Sequence, residues 1–438
     1  MDCGAAARLQ VGWTGEQPGT TREGGAVAPG GPTRQNRCMI PPEPTHPRFA
    51  AWQELCQLQA APDLVAEVEQ LPRGNELTAQ RQFRKKWPDP LVRAAFALVD
   101  CRRRGEEKFS RAHAMWFDRK GLEQATSEAV ARHKAARFSG AVLDLCSGVG
   151  GDAIALAARN DVTALDLDPV SGQRLEWNAA VHDVSSRLQV ECRDVTTVNC
   201  TGLLVHLDPD RRQGGQKAVR LEDYVPGPEF LEALMQRAAG GAIKLSPAAN
   251  FVGRFPEAEI ELISLRGECK EATVWFGSLA GPEPWRATIL PEGITVAGHP
   301  LEHVADQGPP GAYLYDPDPA VVRAGLVDLV ANQLGLRRLD DREEYLTGDT
   351  LVDSPLVQGF AIEAVLANNP SEIRNHFRQS PFGQVEIKCR HVPIQAEDLR
   401  RRLPLPGREP GVLIFARLAG RARAVVARRV TLRPAVGG

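Results

Sequence analysis

The chain has 438 residues, a formal net charge of −2, 43% hydrophobic and 25% charged residues, the ordinary make-up expected of a soluble globular protein with room for two or three domains. That balance predicts no polyanion partner for the molecule as a whole, and no apolar run approaches the length of a membrane span. Nine cysteines run from Cys3 to Cys389 without a C-x-x-C pair, which argues against a disulfide framework, predicts no metal centre and fits reduced thiols in a cytoplasm.

Residues 1–47 are rich in Gly, Pro, Thr and Arg, lack periodicity and are expected to be disordered; a start codon placed too far upstream would leave the same pattern. No basic-then-apolar signal pattern opens the chain. Residues 48–139 read as a helical region. Leu55, Leu58, Leu64, Val65, Val68 and Leu71 recur at helical spacing, as do Leu91, Val92, Ala95, Phe96, Leu98 and Val99 after Pro88-Asp89-Pro90. From Asp100 to Arg137, ten Lys or Arg stand against six Asp or Glu, a pattern that suits a solvated helical face and a nucleic-acid contact equally. Met115-Trp116-Phe117 reads as core packing rather than a base-stacking platform. Leading straight into the first strand, this segment is placed to fold over a cofactor as a lid, with Glu123, Gln124 and Thr126 as its polar candidates.

The stretch Ala141 to Asp168, AVLDLCSGVGGDAIALAARNDVTALDLD, carries the strongest local signal. Ala141 to Cys146, apolar except Asp144, read as a strand buried on both faces. Ser147-Gly148-Val149-Gly150-Gly151 follow, where glycines permit a tight turn and close backbone approach to a ligand. Asp152 is placed to cap a helix carrying Ile154, Leu156 and Ala157, and a second strand, Val162 to Leu167, ends among Asp166 and Asp168. This is the first half of a nucleotide-binding βαβ unit. Gly148, Gly150 and Ala153 fit the loose G-x-G-x-x-[GA] spacing of a dinucleotide site. A pyrophosphate, however, wants uncompensated N–H groups at the helix N-terminus, and Asp144 and Asp152 put negative charge on either side of it. S-Adenosylmethionine carries a sulfonium and an ammonium and no phosphate, so the same carboxylates favour it over NAD.

The sheet continues over residues 140–281. Val170 to Val181 read as helix and Leu188 to Asp194 as a third strand. Leu203 to Leu207 form a fourth, which delivers Asp208-Pro209-Asp210-Arg211-Arg212. Gly241 to Leu245 form a fifth, ending in Lys244-Leu245-Ser246-Pro247. Glu259 to Leu265 and Ala272 to Phe276 are close enough in sequence to pair antiparallel, which predicts a seven-stranded, mostly parallel, Rossmann-like sheet with one reversed edge. Chemistry-bearing residues gather after strands one to five, at the carboxyl edge where open α/β sheets bind ligands.

These residues resemble the class I S-adenosylmethionine-dependent methyltransferases, and among them the group that joins such a domain to a C-terminal THUMP-like domain. LEQAT before the first strand, DLCSGVGGD, the D-P-x-R-R block, LEDYVP (Leu221 to Pro226) and KLSP carry the resemblance, which covers about Lys108 to Arg429. It implies that Asp144 and the Gly148-Val149-Gly150-Gly151 loop cradle the methionine part of the cofactor, beside the Cys146 and Ser147 backbone. It also places Asp166 on the ribose hydroxyls, with Asp168 as second choice, and Asp194 and the Val195 N–H on adenine. Asp208 would accept from a nucleophilic amine and Asp210 would act as a second acceptor or base, within a catalytic block that includes Pro209 and Arg211. Arg211 and Arg212 would grip a substrate phosphate, and Lys244 is a further substrate contact. Similarity to trimethylguanosine synthases is visible in CSGVGGD and LDLDP. It stops where those enzymes carry a base-stacking aromatic after a double proline, a place that Asp210-Arg211 occupies here.

Residues 282–310 read as a linker with short strands around Trp285-Leu290 and Ile294-Ala297. Residues 311–433 read as a small α/β domain that resembles the THUMP-like domain, a name taken from RNA-binding modules attached to RNA-modifying enzymes. Asp318 is placed to cap a helix that begins at Pro319 and buries Val321, Val322, Leu326, Leu329, Val330 and Leu334. Val385 to Lys388, Glu397 to Arg402, Val412 to Phe415 and Ala424 to Ala427 complete the pattern. Ser371 to Arg433 holds fourteen Lys or Arg against five Asp or Glu, and Glu292 to Asp353 four against twelve. Lys388 and Arg390, with Arg400, Arg401, Arg402, Arg417, Arg421, Arg423, Arg428 and Arg429, are therefore candidates for a phosphate-facing surface, although charge runs also mark solvated faces. The expectation is an S-adenosylmethionine-dependent methyltransferase acting on RNA. A methylase of proteins or small molecules, and a nucleic-acid-binding protein that has lost activity, are the alternatives; target atom and oligomeric state stay open.

Overall fold

The computed structural model of the chain describes residues 41–430, apart from 211, 214, 215, 218 and 219 and the side chains of 212, 213, 216 and 217. Most of the segment expected to be disordered, and Arg211, lie outside the described residues. No helix of the described residues is long and apolar enough to cross a membrane.

The N-terminal region forms α1 (Phe49–Gln59), α2 (Pro62–Glu69), α3 (Glu76–Phe83) and α4 (Asp89–Gly105), followed by the short α5 (Arg119–Gln124) and α6 (Glu128–Ala135). Prolines stand in the first turns of α2 and α4, where a missing N–H costs nothing. The apolar stripes read from the spacing meet in one core of Leu58, Leu64, Val68, Val92, Ala95 and Val99. Met115 and Phe117 are buried as expected, and Trp116 packs on Trp177.

The first sheet, among the described residues, comprises β1 (Ala141–Leu145), β2 (Asp161–Asp166), β3 (Leu188–Cys192), β4 (Leu204–Leu207), β5 (Gly240–Leu245), β6 (Glu259–Leu265), β7 (Glu268–Gly277), β8 (Trp285–Leu290) and β9 (Ile294–Gly298). Their spatial order is β9-β8-β6-β7-β5-β4-β1-β2-β3. β1 pairs in parallel with β2 and β4, β2 with β3, and β4 with β5. Helices α7 (Gly151–Ala157), α8 (Pro169–Val181) and α9 (Pro228–Arg237) make the crossovers, so the carboxyl ends of these strands share one edge. The mostly parallel Rossmann-like core is as expected, but two details differ. The reversed strand, β7, is interior, running antiparallel to both β5 and β6. The sheet has nine strands rather than seven, because the stretch read as a linker supplies β8, parallel to β6, and β9, antiparallel to β8. An uncovered β6 would leave a row of backbone N–H and C=O groups unpaired. Which edge a short strand joins depends on that need and not on its own pattern.

The second sheet runs β11-β12-β10-β13-β16-β15-β14, with β10 (Tyr313–Pro317), β11 (Arg337–Arg338), β12 (Leu346–Gly348), β13 (Val357–Ala367), β14 (Phe382–Cys389), β15 (Glu409–Leu418) and β16 (Arg421–Arg429). Between β10 and β11 the chain forms α10 (Pro319–Arg323) and α11 (Val327–Leu334). Their apolar face bridges the two sheets: Val321, Leu326, Val327 and Val330 share a core with Ile260, Val274 and Ala287 of the first and with Tyr315, Leu346 and Val357 of the second. Asp318 caps α10 through the Ala320 N–H at 2.8 Å and accepts from Ser264 Oγ on β6 at 3.0 Å, which ties the two sheets together. Helices α12 (Pro370–Arg378) and α13 (Ala396–Arg402) lie against the second sheet, with Ile373 and Phe377 in a core with Phe382, Leu413 and Phe415.

Part of the basic excess between Asp100 and Arg137 is taken up by contacts within the protein, while Arg119 and Arg132 stay largely exposed. Arg102 binds Glu69 at 2.6 Å and the Met115 carbonyl at 2.9 Å, and Lys108 Nζ donates to the Leu122 and Ala125 carbonyls at 2.7 and 3.0 Å. Arg137 makes a two-pronged pair with the buried Glu259 at 2.7 and 3.1 Å, and His133 meets Glu261 at 2.8 Å. Strand carboxylates that would be intolerable alone in the interior are thus paired with Arg137 and hydrogen-bonded to His133 from the segment laid over them. Glu261 also accepts from Trp275 Nε1 at 2.8 Å and Thr288 Oγ1 at 2.5 Å. Burial pushes its carboxyl up, yet His133, Arg137 and Thr288 outweigh burial and bring it down to about 2. A carboxyl whose folded value lies below its unfolded one contributes stability that is complete above the ordinary 4.5 and is lost as pH falls towards about 2. Glu261→Gln is therefore expected to lower the Tm near neutrality and to flatten the fall of Tm between about pH 5 and about pH 3, read by scanning calorimetry; an unchanged slope would show that Glu261 is not held this way.

Candidate active site

β1 ends at Leu145, and the chain turns through Cys146 (φ 62°) and Gly148 (φ 55°) before Gly150 (φ 97°) opens α7. A Cβ on Gly148 would meet nothing within 4 Å, whereas one on Gly150 would lie 2.2 Å from Leu175 Cδ1 and one on Gly151 2.8 Å from the Thr126 carbonyl oxygen. Gly148 therefore leaves space beside the loop, while Gly150 and Gly151 let α7 close on its neighbours. The Gly148 N–H donates to Asp166 Oδ2 and the Asp168 N–H to Asp166 Oδ1, both at 2.8 Å, and the Ser147 N–H donates to the Leu165 carbonyl at 3.1 Å. Val149 is buried beneath, its carbonyl accepting from Asn178 Nδ2 at 3.0 Å.

Four carboxylates converge here. Burial raises the Cys146 thiol well above 9.0, and Asp166, Asp208, Asp144 and Asp210 push it further. Asp144 is 1% exposed; burial raises its carboxyl, and His206 Nδ1, 2.6 Å from Oδ1, draws it back. Its Oδ2 is buried without a hydrogen-bond partner, as is Ser147 Oγ. Asp166 is likewise raised by burial, against the two N–H groups it accepts from. Asp208 accepts from Lys244 Nζ at 2.7 Å; burial would lower that ammonium, but Asp208, Asp152 and Glu271 prevail and raise it. Asp210 takes Lys120 Nζ at 3.1 Å and Gln124 Nε2 at 3.0 Å, and the Gln124 carbonyl takes Lys244 Nζ at 3.2 Å. Of the three lid candidates, Gln124 thus reaches the edge, Glu123 pairs with Arg119 at 3.2 Å, and Thr126 turns inward to Asp152 at 2.6 Å.

Three motifs far apart in sequence share one rim. Asp210 exchanges backbone hydrogen bonds with Val225 at 2.9 Å beside the buried Pro209, and Tyr224 Oη accepts from the Ser246 N–H at 3.1 Å. From α10, Arg323 donates to the carbonyls of Pro247 at 2.5 Å and Ala249 at 3.0 Å. Other expected residues are engaged elsewhere. Asp168 caps α8 through the Val170 N–H at 3.1 Å and pairs with Arg48 at 3.0 Å, which holds its carboxyl down in spite of burial. Asp194 is exposed and accepts from the Thr196 N–H and Oγ1 at 2.9 and 2.7 Å, while Val195 is buried. Between Asp166 and Asp168, Leu167 stands 68% exposed; an apolar residue between two acids just past a strand end was its only sequence signal. Arg212 lies on a two-residue ribbon paired with Lys217.

Asp152 does not cap α7, whose N-cap is Gly150. It faces inward to Lys134 at 2.8 Å, and Lys134 also meets Glu271 at 2.8 Å and His206 Nε2 at 3.3 Å. Its negative charge is therefore compensated inside the protein, as Asp208 and Asp210 are paired with Lys244 and Lys120. Sequence reading missed Lys134, His206 and Glu271. The available signal was Lys134 itself, which shares a helical stripe with Val130, Ala131 and Ala135, all buried.

Lys388 and Arg390 are not part of this group. Both bind Asp316, at 2.8 and 2.5 Å, and with Arg266 and Arg429 they line a cavity of about 510 Å³ between the β6–β8 end of the first sheet and the second sheet. Arg400, Arg401, Arg428 and Arg429 pair with Glu397, Asp398, Glu363 and Glu386, so the basic run is partly compensated. Among the described residues, the donor atoms of Glu343, Glu344 and His391 lie within 4.8 Å of one another, and His391 already pairs with Glu344 at 2.5 Å.

The profile of the THUMP domain-like family matches residues 357–429, and that of RNA cap guanine-N2 methyltransferase matches residues 139–223. Over 313 residues the chain is 36% identical to an uncharacterized S-adenosylmethionine-dependent methyltransferase of Mycobacterium tuberculosis, in strains CDC 1551 / Oshkosh and ATCC 25618 / H37Rv, spanning 69% of this chain and 84% of that one. The chain belongs to this family of S-adenosylmethionine-dependent methyltransferases. A crystal structure of a proposed methyltransferase from Porphyromonas gingivalis W83 superposes on the methyltransferase with a TM-score of 0.67 at 18% identity, over 82% of this chain and 100% of that one, so the two share a fold. The carboxyl edge suits the cofactor's two cationic centres. It offers four carboxylates around Cys146, unpartnered Asp144 Oδ2 and Ser147 Oγ, and open space at Gly148.

Proposed function

We propose that this methyltransferase modifies RNA, with the target base over Asp208-Pro209-Asp210 and the strand directed towards the second sheet. The carrying observation is the Asp208–Lys244 pair at 2.7 Å, set at the same edge as the cofactor loop. Both family matches add support, since one is named for RNA cap methylation and the other for THUMP. Asp210 in place of a stacking aromatic speaks against base capture in the manner of the cap enzymes.

Bound S-adenosylmethionine supplies an electrophilic methyl group. In this reading, Asp144, Cys146, Ser147 and Gly148 to Gly151 hold its amino-acid end and Asp166 its ribose, with Asp168 restrained by Arg48. Leu167 offers apolar surface to adenine, beside Asp194 and the Val195 N–H. Lys244 fixes the Asp208 carboxylate, which accepts a hydrogen bond from the substrate amine and aligns its lone pair for attack. Asp210 is the second acceptor. Arg211, Arg212, Lys388 and Arg390 are proposed phosphate contacts, the last two along the cavity between the sheets. The helical region 48–139, the catalytic domain 140–281 and the C-terminal domain 311–433 are the proposed functional parts, working in a cytoplasm.

Mass spectrometry of RNA nucleosides tests this reading. A methylated nucleoside should disappear in a deletion strain and return with the wild-type gene but not with Asp208→Ala. An unchanged nucleoside profile, together with methyl transfer by the purified enzyme to protein, would replace RNA as the substrate.

A further inference from the structure

Behind the cofactor loop lies a chain of buried charges to which the proposed transfer step assigns no task. Lys134, 1% exposed on α6, has three N–H donors, and it has three partners: Asp152 Oδ1 at 2.8 Å, Glu271 Oε1 at 2.8 Å and His206 Nε2 at 3.3 Å. Thr126 Oγ1 satisfies the other oxygen of Asp152, and Thr273 Oγ1 donates to Glu271 Oε1 at 3.0 Å. An ammonium can only donate, so His206 Nε2 accepts and the imidazole proton sits on Nδ1. Nδ1 lies 2.6 Å from Asp144 Oδ1 and donates to it, while Asp144 Oδ2 stays buried and unpartnered at the root of the glycine loop. With the proton on Nε2 instead, two acceptors would face each other at the Asp144 end, and Asp144 would have to take up a proton itself. A neutral carboxyl would then stand where a carboxylate is needed.

We propose that Lys134 and His206 are positioning residues for the cofactor's ammonium: together they fix the His206 tautomer and so hold the Asp144 carboxylate with Oδ2 presented to that cation. The role belongs to α6 of the N-terminal region and to β4, neither of which touches the cofactor in this reading. It rests on the placement of the amino-acid end at Asp144, and the test separates the two.

Titration calorimetry of the full-length protein with two ligands provides the readout. S-Adenosylhomocysteine carries the ammonium, and 5′-methylthioadenosine lacks the whole amino-acid end. His206→Leu is expected to weaken S-adenosylhomocysteine by about tenfold or more and methylthioadenosine by less than about twofold. His206→Asn, whose amide N–H can stand in for Nδ1–H, should stay within about threefold of wild type for both. Equal losses for the two ligands in His206→Leu would mean a merely structural role and would overturn the proposal. Should that variant fail to fold, nitrogen NMR of the histidine-labelled wild type decides: a protonated Nδ1 and bare Nε2 on His206 are expected, and the opposite tautomer sinks the idea. Asp144→Asn is the control for the placement. If it binds S-adenosylhomocysteine like wild type, the ammonium does not lie there and the proposal goes with it; if it weakens binding while His206→Leu does not, the placement stands and only the relay fails.

Discussion

Asp208→Ala is expected to lower kcat by a factor of about 10²–10⁴ while S-adenosylmethionine affinity stays within about threefold. The reasoning starts from position. Asp208 follows β4, its N–H is tied to the Leu145 carbonyl at 3.1 Å, and its carboxylate is held by Lys244 at 2.7 Å. The glycine loop is held by Asp166 through the Gly148 N–H, so removing Asp208 leaves the loop's own hydrogen bonds untouched. On the proposed role, what is lost is a fixed acceptor for the attacking amine, together with the alignment it imposes. Lys244, 14% exposed, keeps the attraction of Asp152 and Glu271, so the fold should survive, which near-UV circular dichroism can verify. Single-turnover transfer of a labelled methyl group to total RNA, set beside calorimetry with the cofactor, gives both numbers. Normal turnover with normal binding would remove Asp208 from the chemistry.

Lys134→Met is expected to cost about 3–5 kcal/mol of stability. The substitution nearly keeps the length of the side chain and removes the charge, leaving Asp152 and Glu271 in the interior with only the more weakly coupled Lys244 to balance them. Burial alone would drive the Lys134 ammonium down, yet these two carboxylates raise it, which is the same energy seen from the other partner. The surface pair of Arg93 and Asp89, at 64% and 43% exposure, makes the contrast, since breaking it should cost no more than about 1 kcal/mol. Urea unfolding with a common m-value measures both. Lys134→Met combined with Asp152→Asn and Glu271→Gln should recover much of the loss, because neutral groups need no counter-charge. A single variant that loses less than about 1 kcal/mol would contradict a buried, unscreened pair.

The two halves of the site differed in how far they could be read before the chain was folded. The glycine loop and the acids that flank it lie within thirty residues of one another, and their spacing already implies strand, turn, helix and strand. The carboxyl-edge placement of Asp166, Asp194, Asp208 and Lys244 follows from counting strands, since every parallel strand delivers its last residues to the same side. Asp152 shows where local reasoning stops. An acid just after a glycine turn is a good cap by every local rule, and it was drawn inward only because Lys134 from another helix arrives beside it. Part of the basic run was likewise drawn inward at Arg137, for the acids it meets, Glu259 and Glu261, lie more than a hundred residues downstream.

Taken by itself, the order of residues determined the βαβ unit, the succession of strands from Ala141 to Phe276 and the chemical character of the pocket, because these depend on contacts along a few turns of chain. Folding alone decided that β7 lies inside the sheet, that Trp285 to Gly298 extends it, and that His206 stands beside Asp144. Register between β1 and β4 places those two side by side across sixty residues, and nothing in either strand encodes its partner. A buried charge is tolerable only with its counter-charge in place, and that condition is met by packing, not by spacing.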